Sequence, residues 1–196
     1  MSRKLTLDDI ADLRAYERER DAFRAKVIEV KRRRRIAVGT ILTMVFENRE
    51  TIRLQIQEMA RVERILSDDG IQTELDIYNA LIPEPGHLCA TLFIELTSDD
   101  QMREWLPRLV GIERSFSLVL ADGSSVRCRP EEQHEGQLTR DDVTAAVHYL
   151  TWDFTPEQVA AAASGPITLV CDHPAYLEEV ALANETVREL VGDLAA

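Results

Sequence analysis

Pro83-Glu84-Pro85-Gly86 divides the chain into two kinds of pattern, and any fold must accommodate the change. Two prolines so close together cannot sit inside a helix, because each lacks an amide proton and its ring crowds the preceding turn. Upstream of the tetrapeptide, apolar residues recur mostly at helical spacing; downstream they run or alternate as in strands. The upstream part reads as one helix from Thr6 to about Arg35, opened by Thr6 and Asp9 at capping-box spacing, with any kink near Ala15 to Glu17. Gly39 interrupts it, and TILTMVF forms a buried strand ending at Glu47. Asn48 then caps a helix from Arg49 to about Leu66. A second helix, Ile71 to Ile82, follows the turn Ser67-Asp68-Asp69-Gly70 and makes a helical hairpin with the first.

Beyond the prolines the pattern predicts a strand at LCATLFIEL, a helix from Asp99 to Val110, and a β-hairpin turning at Asp122-Gly123. A strand at AAVHYLTW, a short helix opening at Thr155-Pro156, a strand at ITLVCD and a terminal helix after Pro174 complete the chain. This is not the regular alternation of a doubly wound fold. The expectation is α+β: a mixed, mainly antiparallel sheet covered by helices, with an N-terminal helix and a helical hairpin. Residues 1–129 would form the main domain with its basic N-terminal helix, and 130–142 an exposed loop. Residues 143–196 would form a β-α-β-α part packed on the same core.

Charge limits the partners. Residues 1–35 carry 12 Lys or Arg against 7 Asp or Glu, whereas residues 36–196 carry 11 against 28. The acidic body repels a phosphate backbone, so nucleic acid is not an expected partner; the basic arm could dock on an acidic surface, including a second copy, giving a homo-oligomer. No apolar run reaches signal-peptide or membrane-span length, so the expectation is a cytoplasmic protein without membrane association. Cys89, Cys128 and Cys171 are odd in number and widely spaced. They suit neither a disulfide framework nor a zinc site, and read as structural thiols.

Among polar residues, Glu63 is the most informative. On an ideal helix it lies within about 40° of the line through Ile52, Ile56, Met59 and Leu66, so it follows the apolar stripe. It is a structural ion pair, a helix-end residue turned to water, or a functional carboxylate. Across the hairpin, Glu74, Tyr78 and Asn79 form its expected neighbourhood, a hydrogen-bonded interface or a carboxylate site for a metal or proton. Glu131-Glu132-Gln133-His134 has Glu-x-x-His spacing but occurs once, so a ferritin-like site is rejected. Lys31 to Arg35 reads as a solvated or internally paired helix end. No phosphate loop or known catalytic motif is present.

Phe46-Glu47-Asn48-Arg49-Glu50-Thr51, Gln55 to Met59, Glu63-Arg64, Glu74-Leu75-Asp76, Tyr78-Asn79-x-Leu81-Ile82-Pro83 and Ala90 to Glu95 together resemble the bacterial domain-of-unknown-function family 3501. His148-Tyr149-Leu150 and the basic helix end extend the resemblance. It implies no activity. It does imply a setting beside rubrerythrin-like proteins and iron-sulfur oxidoreductases, either of which would be a protein partner. No cofactor and no resident metal are expected, since three scattered cysteines cannot supply a four-thiolate cluster. Two readings stand. One is an accessory or binding protein of a redox or oxidative-stress system, working through the hairpin, with Asn48, Arg49, Gln57, Glu58, Glu63, Glu74, Tyr78 and Asn79 as binding residues and Gln57 and Glu58 on its exposed side. The other is an enzyme or metal-dependent protein using Glu63 and Glu74.

Overall fold

Two antiparallel sheets share one core in the computed structural model, which describes residues 3–131 and 142–195. Along the chain come α1 (Leu13–Arg32), β1 (Arg35–Val38), β2 (Leu42–Phe46), α2 (Arg49–Glu63), α3 (Asp68–Tyr78) and β3 (His87–Ile94). They are followed by α4 (Asp99–Arg108), β4 (Phe116–Val119), β5 (Ser125–Arg127), β6 (Arg129–Pro130) and β7 (Val147–Asp153). The last elements are α5 (Pro156–Ser164), β8 (Thr168–His173), β9 (Tyr176–Ala181) and α6 (Asn184–Ala195). One sheet has the order β1-β2-β3-β7-β6, the other β5-β4-β8-β9. The α+β class holds, with the strands split between two sheets because β4 pairs with β8 rather than with β3.

The first sheet is covered on both faces, and its register decides what each face carries. Val45 pairs with Thr91 and Thr91 with Tyr149; one residue along, Met44 pairs with Leu92 and Leu92 with His148. Neighbours along a strand point to opposite sides. Leu42, Met44, Phe46, Ala90, Leu92, Leu150 and Trp152 therefore face the second sheet and α6, joining Phe116, Leu118, Leu169 and Leu190 in the main core. The alternate residues, among them Glu47, Thr91, Phe93 and Tyr149, face the helices, where Ile52, Ile56, Leu75, Leu81 and Ile82 form a smaller apolar cluster that Tyr149 also touches.

The helical layer departs from the predicted boundaries for local reasons. The Thr6/Asp9 box exists, but it opens only a single 3-10 turn, Leu7–Asp9. Asp12 then starts α1 by accepting hydrogen bonds from the amides of Arg14 and Ala15, so the break lies before Ala15 rather than near Ala15 to Glu17. Residues 3–12 instead form a strap over the hairpin. Helix α2 stops at Glu63, short of Leu66, because Arg64 takes a left-handed conformation at φ 56°. At the other end Asn48 caps α2 as predicted, its side chain accepting from the Thr51 amide at 3.0 Å.

Two strands lie outside the predicted ones, and the second of them replaces predicted helix. Arg35–Val38 is β1, folded back onto β2 through a turn where Gly39 adopts φ 62°. After Pro174 the chain forms β9 before α6, paired to β8 from His173↔Tyr176 to Thr168↔Ala181. As an edge strand β9 leaves its charged side chains partly or fully exposed, which makes YLEEVA look like a helix start. The basic run is internally paired: Arg33 binds Glu189, and the buried Arg34 binds both Glu189 and Asp193 on α6. Among the described residues no helix is long and apolar enough to cross a membrane.

Candidate functional site

Glu47 follows β2 directly, and its amide extends the pairing by donating to the carbonyl of Cys89 at 2.8 Å. The strand alternation turns its side chain toward the helices, into a place where it is only 6 % exposed. One turn later Thr51, at the third position of α2, donates its hydroxyl proton to Glu47 Oε2. The same oxygen of Thr51 accepts the Asn48 amide at 2.9 Å, so the helix cap orients the hydroxyl. From β3, the hydroxyl of Thr91 donates to Glu47 Oε1 at 2.5 Å. Both carboxylate oxygens thus have a neutral donor, yet among the described residues no Lys, Arg or His nitrogen lies within 4.0 Å of them. A buried carboxylate held only by hydroxyls is costly unless something else supplies positive charge.

Glu47, Thr51 and Thr91 lie on the wall of a cavity of about 190 Å³ between the sheet and the helical layer. Ile52, Leu81, Phe93 and Val147 give it apolar sides, while Tyr78 and Tyr149 present phenol rings and Lys31 and Gln55 complete the lining. Lys31 is the one member of the basic run that forms no ion pair among the described residues. Burial, then Tyr78 and the charge of Glu47, push the Tyr149 phenol up to about 12, so it stays protonated at neutral pH. A dry cavity of roughly 150 Å³ admits benzene, so this one suits a ligand of comparable or slightly larger size.

The hairpin residues singled out in the sequence are distributed over different tasks. Asn48 caps α2, and Arg49 binds the Arg3 carbonyl at 3.1 Å and Asp9 at 2.6 Å. Gln57 is fully buried rather than exposed, because its amide accepts from Ala11 N at 2.8 Å and donates to Ala11 O at 3.2 Å. Asn79 repeats the device on Leu5, accepting from its N at 2.8 Å and donating to its O at 2.9 Å. Glu58 is half-buried and gripped by Arg20.

Glu63, at the end of α2, is exposed, its place on the apolar stripe notwithstanding, because the buried stripe of α2 already ends at Ala60. Glu74 is half-buried, and burial first, then repulsion from Glu63, raises its pKa. The hairpin therefore does bring these two carboxylates near each other, but neither lines the cavity. Only Tyr78 of the eight does. Among the described residues no group of three His, Cys, Asp or Glu side chains is arranged to hold a metal ion. Glu132, Gln133 and His134 lie outside the described residues, as does most of the 130–142 segment.

Glu47, Thr51, Thr91, Tyr149 and Lys31 were not among those eight. The available signal is a carboxylate placed directly after a strand that is apolar except for Thr43, and directly before an N-cap. All three thiols are buried, and burial pushes Cys89 and Cys128 up to about 12 and Cys171 up to about 11.

Comparison with known proteins gives a consistent identity. A crystal structure of a novel protein of unknown function from Burkholderia pseudomallei K96243 is 38% identical and superposes with a TM-score of 0.90, covering 97% of this chain and 99% of that one. No curated protein matches. The model of the family described as "Protein of unknown function (DUF3501)" matches residues 4–194, nearly the whole length, and the chain belongs to that family.

Proposed function

We propose that this protein is a binding protein that holds a small polar molecule in the cavity between α1–α3 and the first sheet. The observation that carries this reading is Glu47: a buried carboxylate on a cavity wall, oriented by two threonines and with no cation within 4.0 Å among the described residues. A fold seldom keeps such a group for stability, since an apolar replacement is often no worse. The neighbouring thiol, Cys89, is held protonated by burial. Binding therefore fits the site better than thiol chemistry.

The test is a thermal-shift screen of the full chain against a mixture of small polar metabolites, run in parallel on Glu47→Gln. The expected outcome is at least one compound that raises the wild-type midpoint and has little effect on the variant. A screen in which no compound acts, or in which both proteins respond equally, contradicts the reading.

The accessory role implied by the family setting is a second part of the proposal. At the turn joining α2 to α3, Val62 and Leu66 are exposed, Leu66 beside Arg61, Arg64 and, on α1, Arg14, Glu17 and Arg18. Exposed apolar side chains beside four arginines and a single glutamate, Glu17, suit an acidic protein partner, and a rubrerythrin-like or iron-sulfur protein is the candidate. Tagged purification from the native cell with Leu66→Glu as control tests it. Recovery of such a protein by wild type and its loss in the variant is expected; equal recovery by both would refute this surface.

A further inference from the structure

Two charged side chains line the cavity, Glu47 and Lys31, and they carry opposite signs. Neither has an oppositely charged partner among the described residues, and they do not pair with each other, since no nitrogen of one approaches an oxygen of the other within 4.0 Å. Every other cation of the Lys31–Arg35 run is engaged: Arg32 with Glu29, Arg33 and Arg34 with α6, Arg35 with Glu95. Glu47 is buried and Lys31 half-buried, so the cavity offers a ligand one charged group of each sign.

We propose that the ligand is a small zwitterion bearing one ammonium and one carboxylate group, that is, a molecule of the amino-acid class. The inference rests on the binding reading above. Its ammonium group sits against Glu47, whose Thr51 and Thr91 hydrogen bonds leave one lone pair on each oxygen free to accept. Its carboxylate meets the ammonium of Lys31. The phenols of Tyr78 and Tyr149 flank the cationic end, where ring faces favour positive charge. The apolar walls of Ile52, Leu81 and Phe93 accept a short hydrocarbon part, and a cavity of about 190 Å³ matches a molecule the size of a single amino acid. A zwitterion compensates both charges at once, whereas a simple amine or a simple acid leaves one of them uncompensated.

Calorimetric titration of the full chain with three sets of probes tests this: common α- and ω-amino acids, the matching primary amines, and the matching carboxylic acids. The expected result is at least one amino acid that binds, with its amine and acid analogues each about tenfold weaker or worse. Glu47→Gln should weaken the amino acid and the amine but not the acid, which should bind as well or better; Lys31→Gln should weaken the amino acid and the acid but not the amine, which should bind as well or better. Amines or acids that bind as tightly as any amino acid overturn the proposal, as does binding indifferent to both substitutions. If no probe binds while the metabolite screen yields another ligand, the zwitterion class fails and the binding reading survives. If neither experiment yields a ligand, both fail.

Discussion

Arg20 grips Glu58 through Nε and a terminal nitrogen, each at 2.8 Å, while the hydroxyl of the buried Tyr16 donates to the same carboxylate at 2.6 Å. The hydrogen bonds from Arg20 do most to lower the Glu58 carboxyl, to about 2. A depressed carboxyl contributes stability above its unfolded value and loses it as pH falls through the folded one. Glu58→Gln should therefore destabilise the protein at pH 7 by about 1–2 kcal/mol, a figure discounted for partial exposure, and the gap should close between roughly pH 5 and 2. Denaturant titrations across that range check it. Glu74 shows the opposite sign: burial and Glu63 disfavour its charge, so Glu74→Gln should leave stability unchanged or raise it by about 0.5 kcal/mol at pH 7. The three thiols, raised by burial, should resist an aromatic disulfide reagent at pH 8 in the native protein and react fully once it is unfolded. Rapid native labelling of any of them would contradict the burial described here.

At the scale of elements, the strap of residues 3–12 is what the hairpin residues mostly serve. Gln57 and Asn79 each present one acceptor and one donor to a single strap residue, imitating a strand neighbour, and Arg53 adds a 2.7 Å bond to the Asp9 carbonyl. Gln57→Ala strands the Ala11 amide and carbonyl and should cost about 1–3 kcal/mol. Hydrogen exchange should show the loss concentrated in the strap and α1 start, with the sheets unaffected. Local chemistry explains which elements were legible in the sequence. Asn48, Thr155-Pro156 and Asp122-Gly123 all mark real boundaries, because caps and turns are decided by a few adjacent residues. Gln57 was misplaced to the exposed side because its partner, Ala11, lies 46 positions away and no periodicity anticipates a strap. β1 and β9 escape the sequence pattern for a related reason: short edge strands take their identity from pairing, not from their own pattern.

Across the whole molecule, Arg34 joins the beginning of the chain to its end, binding Glu189 at 2.9 Å and Asp193 at 2.6 Å while remaining almost wholly buried itself. Replacing it with Ala leaves Asp193 without its arginine and Glu189 with Arg33 alone, and should lower global stability by about 2–4 kcal/mol, read as a drop in the denaturant midpoint with an unchanged slope. The contrast with Glu47 is the centre of this account. Arg34 is a buried charge with two carboxylate partners on α6, whereas Glu47 is a buried carboxylate with no cation within 4.0 Å among the described residues, and its polar surroundings on an inner sheet face become visible only when β2, β3, β7 and α2 come together. The measurement that tests this most directly is the unfolding free energy of Glu47→Gln against wild type, without ligand, at neutral pH. A group kept for binding should be dispensable to the fold, so the variant should be as stable as wild type or more stable. A loss of about 3 kcal/mol or more would show instead that Glu47 ties α2 to the sheet, and that the cavity is a by-product of that tie.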